Sequence, residues 1–318
     1  MIKHKNLVSI VIPTHNRKTM LIRLLTGLLE SDYKNIEIII VNDNSTDDTL
    51  EVLKERFSKY KSIKIITNSK NMYTAGSRNK GASLAKGQYI FFIDDDNVVT
   101  KQLVSTLVAV MDSDENIGEV GPIMYYYHNK KRIFWAGTKR NMVTTKTNFL
   151  IDTELLPNGN TWETDDVLNA FMVRRNVITK NKITFIENLG IMYEESDYAQ
   201  KIKNSGYKVL AVKDAIIFHD VEDPGKETWA FLQHTLKDKR RIYFTARNRL
   251  VFHSLYSSPW ELIGIIFFWN WLFTAYYVFN IIRYQGKEKY PFSKKLNFIL
   301  SYFHGVYDGI CFNFTKQL

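Results

Sequence analysis

Three consecutive carboxylates, Asp94-Asp95-Asp96, are the residues of this chain whose types and spacing most suggest chemistry. They close the stretch Gly87 to Asn97. Within it the run Tyr89 to Ile93 is rich in β-formers and apolar enough for a strand buried on both faces. A core strand cannot carry three negative charges inside its sheet, so they belong at its C-terminal end, where it leaves the core. In open α/β sheets that edge is where ligands bind. Clustered carboxylates repel unless a cation offsets them. Taken alone, these residues leave two readings open. One is a hard divalent ion, Mg²⁺ or Mn²⁺, held by one or two carboxylates and by substrate phosphate oxygens. The other is a solvated acidic turn.

Other residues join this list, each with an ordinary alternative. Asp43 stands in the polar loop Asn42 to Thr49, where an Asx-turn or a helix cap would account for it. Arg78 follows Gly76 near the start of a helix, and a surface ion pair would account for it. Glu194, Glu195 and Asp197 open a helical stretch, and acids there suit the positive helix terminus. His219 ends an extended run, where a histidine is commonly just a polar end residue.

The elements that must position these groups are legible in the first half. Leu7 to Pro13 reads as a buried strand stopped by Pro13, with Thr14-His15-Asn16-Arg17 as the loop after it. Met20 to Glu30 has helical spacing, with Leu21, Leu24, Leu25 and Leu28 on one side. Ile36 to Val41 is a second strand, followed by a helix carrying Leu50, Leu53 and Phe57. Ser62 to Thr67 is a third strand, Asn79 to Lys86 lies in a helix, and the strand before Asp94 is the fourth. Strand, loop and helix repeated in this way predict a mostly parallel, Rossmann-like α/β sheet with right-handed crossovers. No GxGxxG or P-loop sequence supports the usual dinucleotide or ATP modes. Further on, Gln102 to Met111 is helical. Ile117 to Tyr127 is strand-like, interrupted at Gly121-Pro122, and Phe134 to Asn148 reads as loop. Gly206 to Val212 reads as a return strand and Ala215 to Phe218 as a separate extended run.

A length of 318 residues suits one large domain or two smaller ones. The single cysteine, Cys311, excludes a disulfide framework and a cysteine-built zinc site, which fits a reducing cytoplasm. No signal-peptide pattern is read before the first strand, so secretion is not expected. A net charge of +10 favours anionic partners: nucleic acid, an acidic membrane surface or phosphorylated small molecules.

Four blocks occur in order: Val8 to Arg17, Val41 to Asp47, Ala75 to Ala82 and Gly87 to Asn97. Together they resemble the matching blocks of the family 2 glycosyltransferases, which have the GT-A fold. The resemblance implies sugar transfer from a nucleoside-diphosphate sugar. It further implies that Pro13, Thr14, His15 and Asn16 line the nucleotide pocket, that Asp43 accepts from the base, and that Arg78 and Asp95 lie at the donor. Asp94 and Asp96 would bind Mg²⁺ or Mn²⁺, with His219 completing the metal or phosphate site. Met192 to Lys201 is similar to the family's acidic motif, with Glu195 at the position of the catalytic base and Glu194 and Asp197 toward the acceptor; Asp197 could instead support the helix. An inverting transfer needs a carboxylate to take the acceptor hydroxyl's proton, through an oxocarbenium-like transition state. Two departures stand out: Tyr73 replaces a usual glycine, and Asn169-Ala170 replaces a usual Gly-Ala pair. Along the chain, residues 1–100 would bind donor, 101–225 acceptor, and 226–318 would form a helical extension.

That extension begins with the basic, aromatic stretch from Lys237 to Arg249, whose Tyr243 to Asn248 portion resembles an element of rhamnosyltransferase-like members. Leu262 to Ile282 carries no charge and is long enough to span a bilayer. Basic residues on both flanks, Arg247 and Arg249 before and Arg283, Lys287 and Lys289 after, disfavour a single crossing. Residues 260–318 are therefore expected to lie on the cytoplasmic face of the membrane, or to form a shallow re-entrant hairpin, rather than to span it. A core helix of a soluble fold is the alternative. The expected enzyme acts on a glycan or lipid-linked acceptor, and nucleic acid is not an expected partner. A non-catalytic nucleotide-sugar or glycan binder of the same fold is the main competing reading. A nucleic-acid binder and a nucleotidyltransferase are less favoured, because the basic residues flank apolar runs and no glycine- and arginine-rich loop follows the first strand.

Overall fold

The computed structural model describes residues 6–223, 235–236, 238–283 and 290–315. Lys237, Lys287 and Lys289 lie outside the described residues. The chain divides into two compact units, one formed by residues 1–139, 149–187 and 194–222, the other by 140–148, 188–193 and 223–318.

The first unit is built on a ten-stranded mixed sheet. Strands β1 (Val8–Thr14), β2 (Ile36–Asn42), β3 (Ile63–Thr67) and β4 (Tyr89–Ile93) are parallel, in the order β3-β2-β1-β4. Their runs of Val, Ile and Phe suit strands covered on both faces by helices. Helix α1 (Lys18–Leu29) buries Leu21, Leu24, Leu25 and Leu28, as its spacing requires. Helix α3 (Tyr73–Leu84) crosses β1 closely enough that a Cβ at Gly81 would collide with the Val11 side chain. The close approach depends on that glycine.

Beyond β4 the sheet turns antiparallel. β11 (Ala170–Arg174) runs against both β4 and β6 (Ile117–Tyr126), and β6 is parallel to β12 (Lys208–His219). Three expectations are corrected here. Gly121 and Pro122 do not interrupt β6. Phe134 to Asn148 is not one loop: β7 (Asn129–Trp135) pairs with β6 and puts Trp135 fully in the core, with β8 (Thr138–Arg140) and β9 (Thr147–Phe149) after it. Finally, the return strand and the extended run are one strand, β12, whose register against β6 shifts between Val212 and Ile216. That irregularity absorbs Lys213 and Asp214 without ending the strand.

The second unit is helical. Helix α7 (Lys239–Tyr256) packs on α10 (Phe292–Thr315) through Ile242, Ala246, Leu250, Tyr302 and Val306. Gly305 and Gly309 let α10 approach the backbone of α7 at Tyr243 and Arg247. Between them in sequence, α8 (Pro259–Gly264) passes through a π-helical turn, Ile265 to Trp269, into α9 (Asn270–Arg283). Asn270 and Thr274 face inward, where the Asn270 carbonyl side chain accepts from buried Arg249 at 2.7 Å. The outward face carries Trp260, Phe267, Phe268, Trp271, Phe279 and Ile282, all exposed. By length and composition Pro259–Arg283 could cross a membrane, and most of it is not buried within the protein. A soluble core helix would bury those side chains.

Candidate active site

The parallel strands end at one edge, and their register sets the site. Thr14 pairs with Asn42, which places Asp43 beside the end of β1, its N–H donating to the Thr14 carbonyl at 2.8 Å. β1 and β4 are also neighbours, so Thr14 Oγ1 reaches Asp95 Oδ2 at 2.7 Å. Asp43 is buried, and its Oδ1 accepts from Met72 N–H and from Asn68 Nδ2, both at 2.8 Å. It is thus a cross-brace between loops rather than a helix cap. His15 Nδ1 lies 2.8 Å from the Asp43 carbonyl, and Asn16, in the left-handed region at φ 55°, accepts from Thr46 N–H at 2.8 Å. Pro13 is buried at the end of the same strand. Tyr73 has φ 56°. The left-handed backbone expected of a glycine is therefore retained, with Asn71 Oδ1 accepting from the Tyr73 N–H at 3.0 Å.

The three carboxylates separate by partner. Asp94 Oδ1 accepts from Arg78 Nη2 at 2.7 Å. Arg17 Nη1 spans Asp95 Oδ1 at 3.1 Å and Asp96 Oδ2 at 2.8 Å. Two arginines therefore offset part of the mutual repulsion that pointed to a metal. A candidate ligand for a cation still remains: Asp96 Oδ1 is buried without a hydrogen bond and stands 3.5 Å from His219 Nε2. A buried, unsatisfied carboxylate oxygen beside an imidazole nitrogen fits a divalent ion whose other ligands are phosphate oxygens and water. Among the described residues no three His, Cys, Asp or Glu side chains converge at ligand distance. Asp94 turns instead toward Arg78.

Arg78 corrects the surface ion-pair alternative. It is not a surface residue, and its guanidinium is fully buried beneath the rim. The same Nη2 that meets Asp94 donates to Glu195 Oε1 at 2.8 Å, so one nitrogen joins the acidic triplet to the acidic helix α6 (Glu194–Asn204). Glu195 Oε1 also accepts the Asn169 N–H at 2.9 Å. Burial pushes the Glu195 carboxyl up to about 8; Glu194 and Asp94 add to the rise, and Arg78 and the Asn169 amide oppose it. Burial likewise pushes Asp95 up to about 7. Asp96 is held well below the usual carboxylate range, because His219 and Arg17 outweigh its burial. Glu194 is buried at the start of the helix. Asp197 is buried, and its carboxylate pairs with Lys201 one turn on, at 2.7 Å, an arrangement that supports the helix.

Sequence reasoning missed three participants. For Arg17 the sequence offers a place in the loop after the first strand and no ionic partner. Asn169 has φ 58°, a backbone that asparagine tolerates better than most residues, which is why it can replace glycine here. Its carbonyl accepts the Asp94 N–H at 3.0 Å, and its amide nitrogen lies 3.3 Å from His219 Nε2. Asn169 therefore touches both Glu195 and the His219–Asp96 pair. Glu119, fully buried on β6, is pushed far above the usual glutamate range by burial and by the charges of Asp166 and Glu195. Its position beneath α6 carries no local sequence signal.

Comparison with known proteins matches this architecture. Residues 9–180 match the family model described as Glycosyl transferase family 2. Over 112 residues the chain is 38% identical to the Escherichia coli UDP-Glc:alpha-D-GlcNAc-diphosphoundecaprenol beta-1,3-glucosyltransferase WfaP, covering 34% of this chain and 43% of that protein. The chain spans about two-fifths of the length of the curated relatives it matches first. Among solved structures, Staphylococcus aureus TarS 1–349 in complex with UDP-GlcNAc superposes with a TM-score of 0.58 at 16% identity, covering 94% of this chain and 81% of that one. GalNAc-T7 with UDP, GalNAc and Mn²⁺ superposes with a TM-score of 0.58 at 18% identity, covering 77% of this chain and 51% of that one. The fold is GT-A, with a mostly parallel sheet flanked by helices, and with more than half of its length matched by the family model the chain belongs to glycosyl transferase family 2.

Proposed function

We propose that this glycosyltransferase moves a sugar, with inversion, from a nucleoside-diphosphate sugar to a glycan or lipid-linked acceptor at the cytoplasmic face of the membrane. The observation that carries the reading is the chain of contacts from Glu195 through Asn169 to His219 and Asp96, and through Arg78 to Asp94. A proton acceptor and a phosphate-side acidic cluster thereby share one rim of the sheet. One relative named for UDP-Glc, and two named for undecaprenol-diphosphate acceptors, support the substrate classes.

In this reading Asp43, with both of its hydrogen bonds on Oδ1, turns Oδ2 to a ring N–H of the base. Pro13, Thr14, His15 and Asn16 shape the floor beneath that base, and Asp95 fixes Thr14 and Arg17. Asp96 and His219 would hold Mg²⁺ or Mn²⁺, which when bound offsets charge on the departing diphosphate. Arg17, held by Asp95 and Asp96, would add a positive charge on the phosphate side. Glu195 takes the proton of the acceptor hydroxyl as that oxygen attacks the anomeric carbon opposite the leaving group. A raised proton affinity suits a base that must work near neutral pH. Residues 1–100 serve the donor, 101–225 the acceptor, and 226–318 the membrane. The outward apolar face of Pro259–Arg283 supports a helix lying in the membrane interface.

The test is release of nucleoside diphosphate from a panel of nucleotide sugars, with and without acceptor, in Mn²⁺ and in chelator. Glu195→Gln should bind donor and release almost no product, and Asp96→Ala should lose the response to Mn²⁺. Full turnover by Glu195→Gln would remove the proposed base, and donor binding with no turnover on any acceptor would favour the non-catalytic binder.

A further inference from the structure

We propose that the groove between α7 and α10 in the second unit is a binding site for the phosphate headgroup of an anionic membrane lipid. The proposal rests on the membrane reading above and adds to it a defined headgroup site.

The groove encloses about 480 Å³ and is lined by Lys239, Arg240, Tyr243, Phe244, Asn297, Leu300, Ser301 and His304. That volume is ample for a phosphate and the glycerol next to it. Its donors are poised for an anion. Neither Lys239 nor Asn297 makes a side-chain hydrogen bond or ion pair among the described residues, and both are exposed. Arg240 is the second cation lining the groove; its Nε and Nη2 donate to the helix cap Asp238 at 3.2 and 2.9 Å, so Lys239 is the cation left to meet an anion. The first residues of α7, an 18-residue helix, form one end of the groove, and the helix terminus there is capped by Asp238, whose Oδ1 accepts the Arg240 N–H at 2.8 Å. The nearest carboxylate on α10, Asp308, is already engaged by Tyr243 Oη at 2.6 Å and lies 3.9 Å from His304 Nε2.

The second observation is what borders the groove. Phe292, Leu296, Leu300, Phe303 and Tyr307 are all exposed and recur every three or four residues, so they form one apolar stripe along α10. Asn297, Ser301 and His304 run beside that stripe on the groove side. An apolar stripe laid into the acyl boundary puts the neighbouring polar strip at headgroup height. A soluble anion would require only the cations. The stripe is what commits the site to a phosphate carried by a lipid. Nothing about the arrangement reads a nucleic acid, which would need an extended basic track rather than one cavity edged by apolar side chains.

The experiment is vesicle flotation of the full chain, using phosphatidylcholine vesicles doped with phosphatidic acid or, at matched surface charge, with oleate. The wild-type chain should favour the phosphatidic acid vesicles by about tenfold, the scale of hydrogen bonds to a charged group. Lys239→Gln combined with Asn297→Ala should bring the two vesicles level, while a thermal melt shows the chain still folded. Trp260→Ala with Phe267→Ala should instead weaken binding to both vesicles alike. Equal wild-type partition onto phosphatidic acid and oleate vesicles overturns the headgroup site and leaves the membrane reading standing. Failure to float with any vesicle overturns both. Glycerol phosphate that competes as well as the lipid overturns the lipid source, because the site would then serve a soluble phosphate.

Discussion

Replacing Arg78 tests the core of the proposed mechanism. Its Nη2 sits 2.8 Å from Glu195 Oε1 and 2.7 Å from Asp94 Oδ1, with the guanidinium wholly buried. Two unit charges some 4 Å apart interact by about 4 kcal/mol at the effective dielectric of such sites. That corresponds to roughly three pKa units as an upper bound, and neighbouring arginines typically lower a carboxyl by about 1–3. Glu195 begins near 8, so about a tenth of it is ionised at pH 7. Arg78→Met should push it higher still. With a rise of about two units, kcat/KM at pH 7 falls about 100-fold, and much of it returns as pH is raised. Arg78→Lys keeps the charge and should keep the ascending limb near its wild-type position. The assay is the pH profile of kcat/KM for the three proteins, with circular dichroism as a check on folding. A wild-type limb near the ordinary glutamate range would refute the reasoning. So would an Arg78→Met profile that drops in height without moving along the pH axis.

Other outcomes follow from the same geometry. Asn169→Gly should keep the left-handed backbone and the N–H bond to Glu195, and so retain much of the activity. Asn169→Val should lose about 1–2 kcal/mol of stability, because a β-branched residue is strained at φ 58°; urea titration compares the two. Trp135→Ala, at a fully buried position, should cost about 3–5 kcal/mol by the same measurement. The contribution of Glu195 to stability should fall as pH rises. Glu195 holds its proton up to about 8 when folded but releases it in the ordinary glutamate range when unfolded, so between those values the folded state binds more protons. In chelator, the melting temperature of Glu195→Gln should therefore gain on the wild type as pH rises from 5 to 8, and an unchanged gap would contradict the raised proton affinity.

The parallel half of the sheet could be read from the chain because its signals are local. Val, Ile and Phe runs ended by Pro13, Asn42 and Asp94 mark strand ends, and the leucine spacing of α1 marks a helix face. For the same reason Asp94, Asp95, Asp96 and Glu195 could be picked out before any contact was known. Asn169 and Tyr73 stand out in the sequence as replacements of a usual glycine, but the left-handed backbone at each is seen only in the structure. The second half was harder. β7 lacks a long apolar run, since only its end is buried, and the Trp135 that anchors it looks like a loop residue when its partner strand is unknown. β12 reads as two runs in the sequence because its register shift puts polar Lys213 and Asp214 in the middle of a strand.

What the amino-acid sequence by itself determined is which carboxylates lie at element ends, where a folded sheet must expose them. What only the tertiary structure decided is their company: Arg17 with Asp95 and Asp96, Arg78 with Asp94 and Glu195, Asn169 with Glu195 and His219. These partners are 16 to 117 residues apart, and their meeting depends on strand order and on the register between strands. No short-range pattern encodes that order, because it is settled by packing the whole sheet at once. The charge on each carboxyl group, and so the chemistry open to it, is decided at the same step.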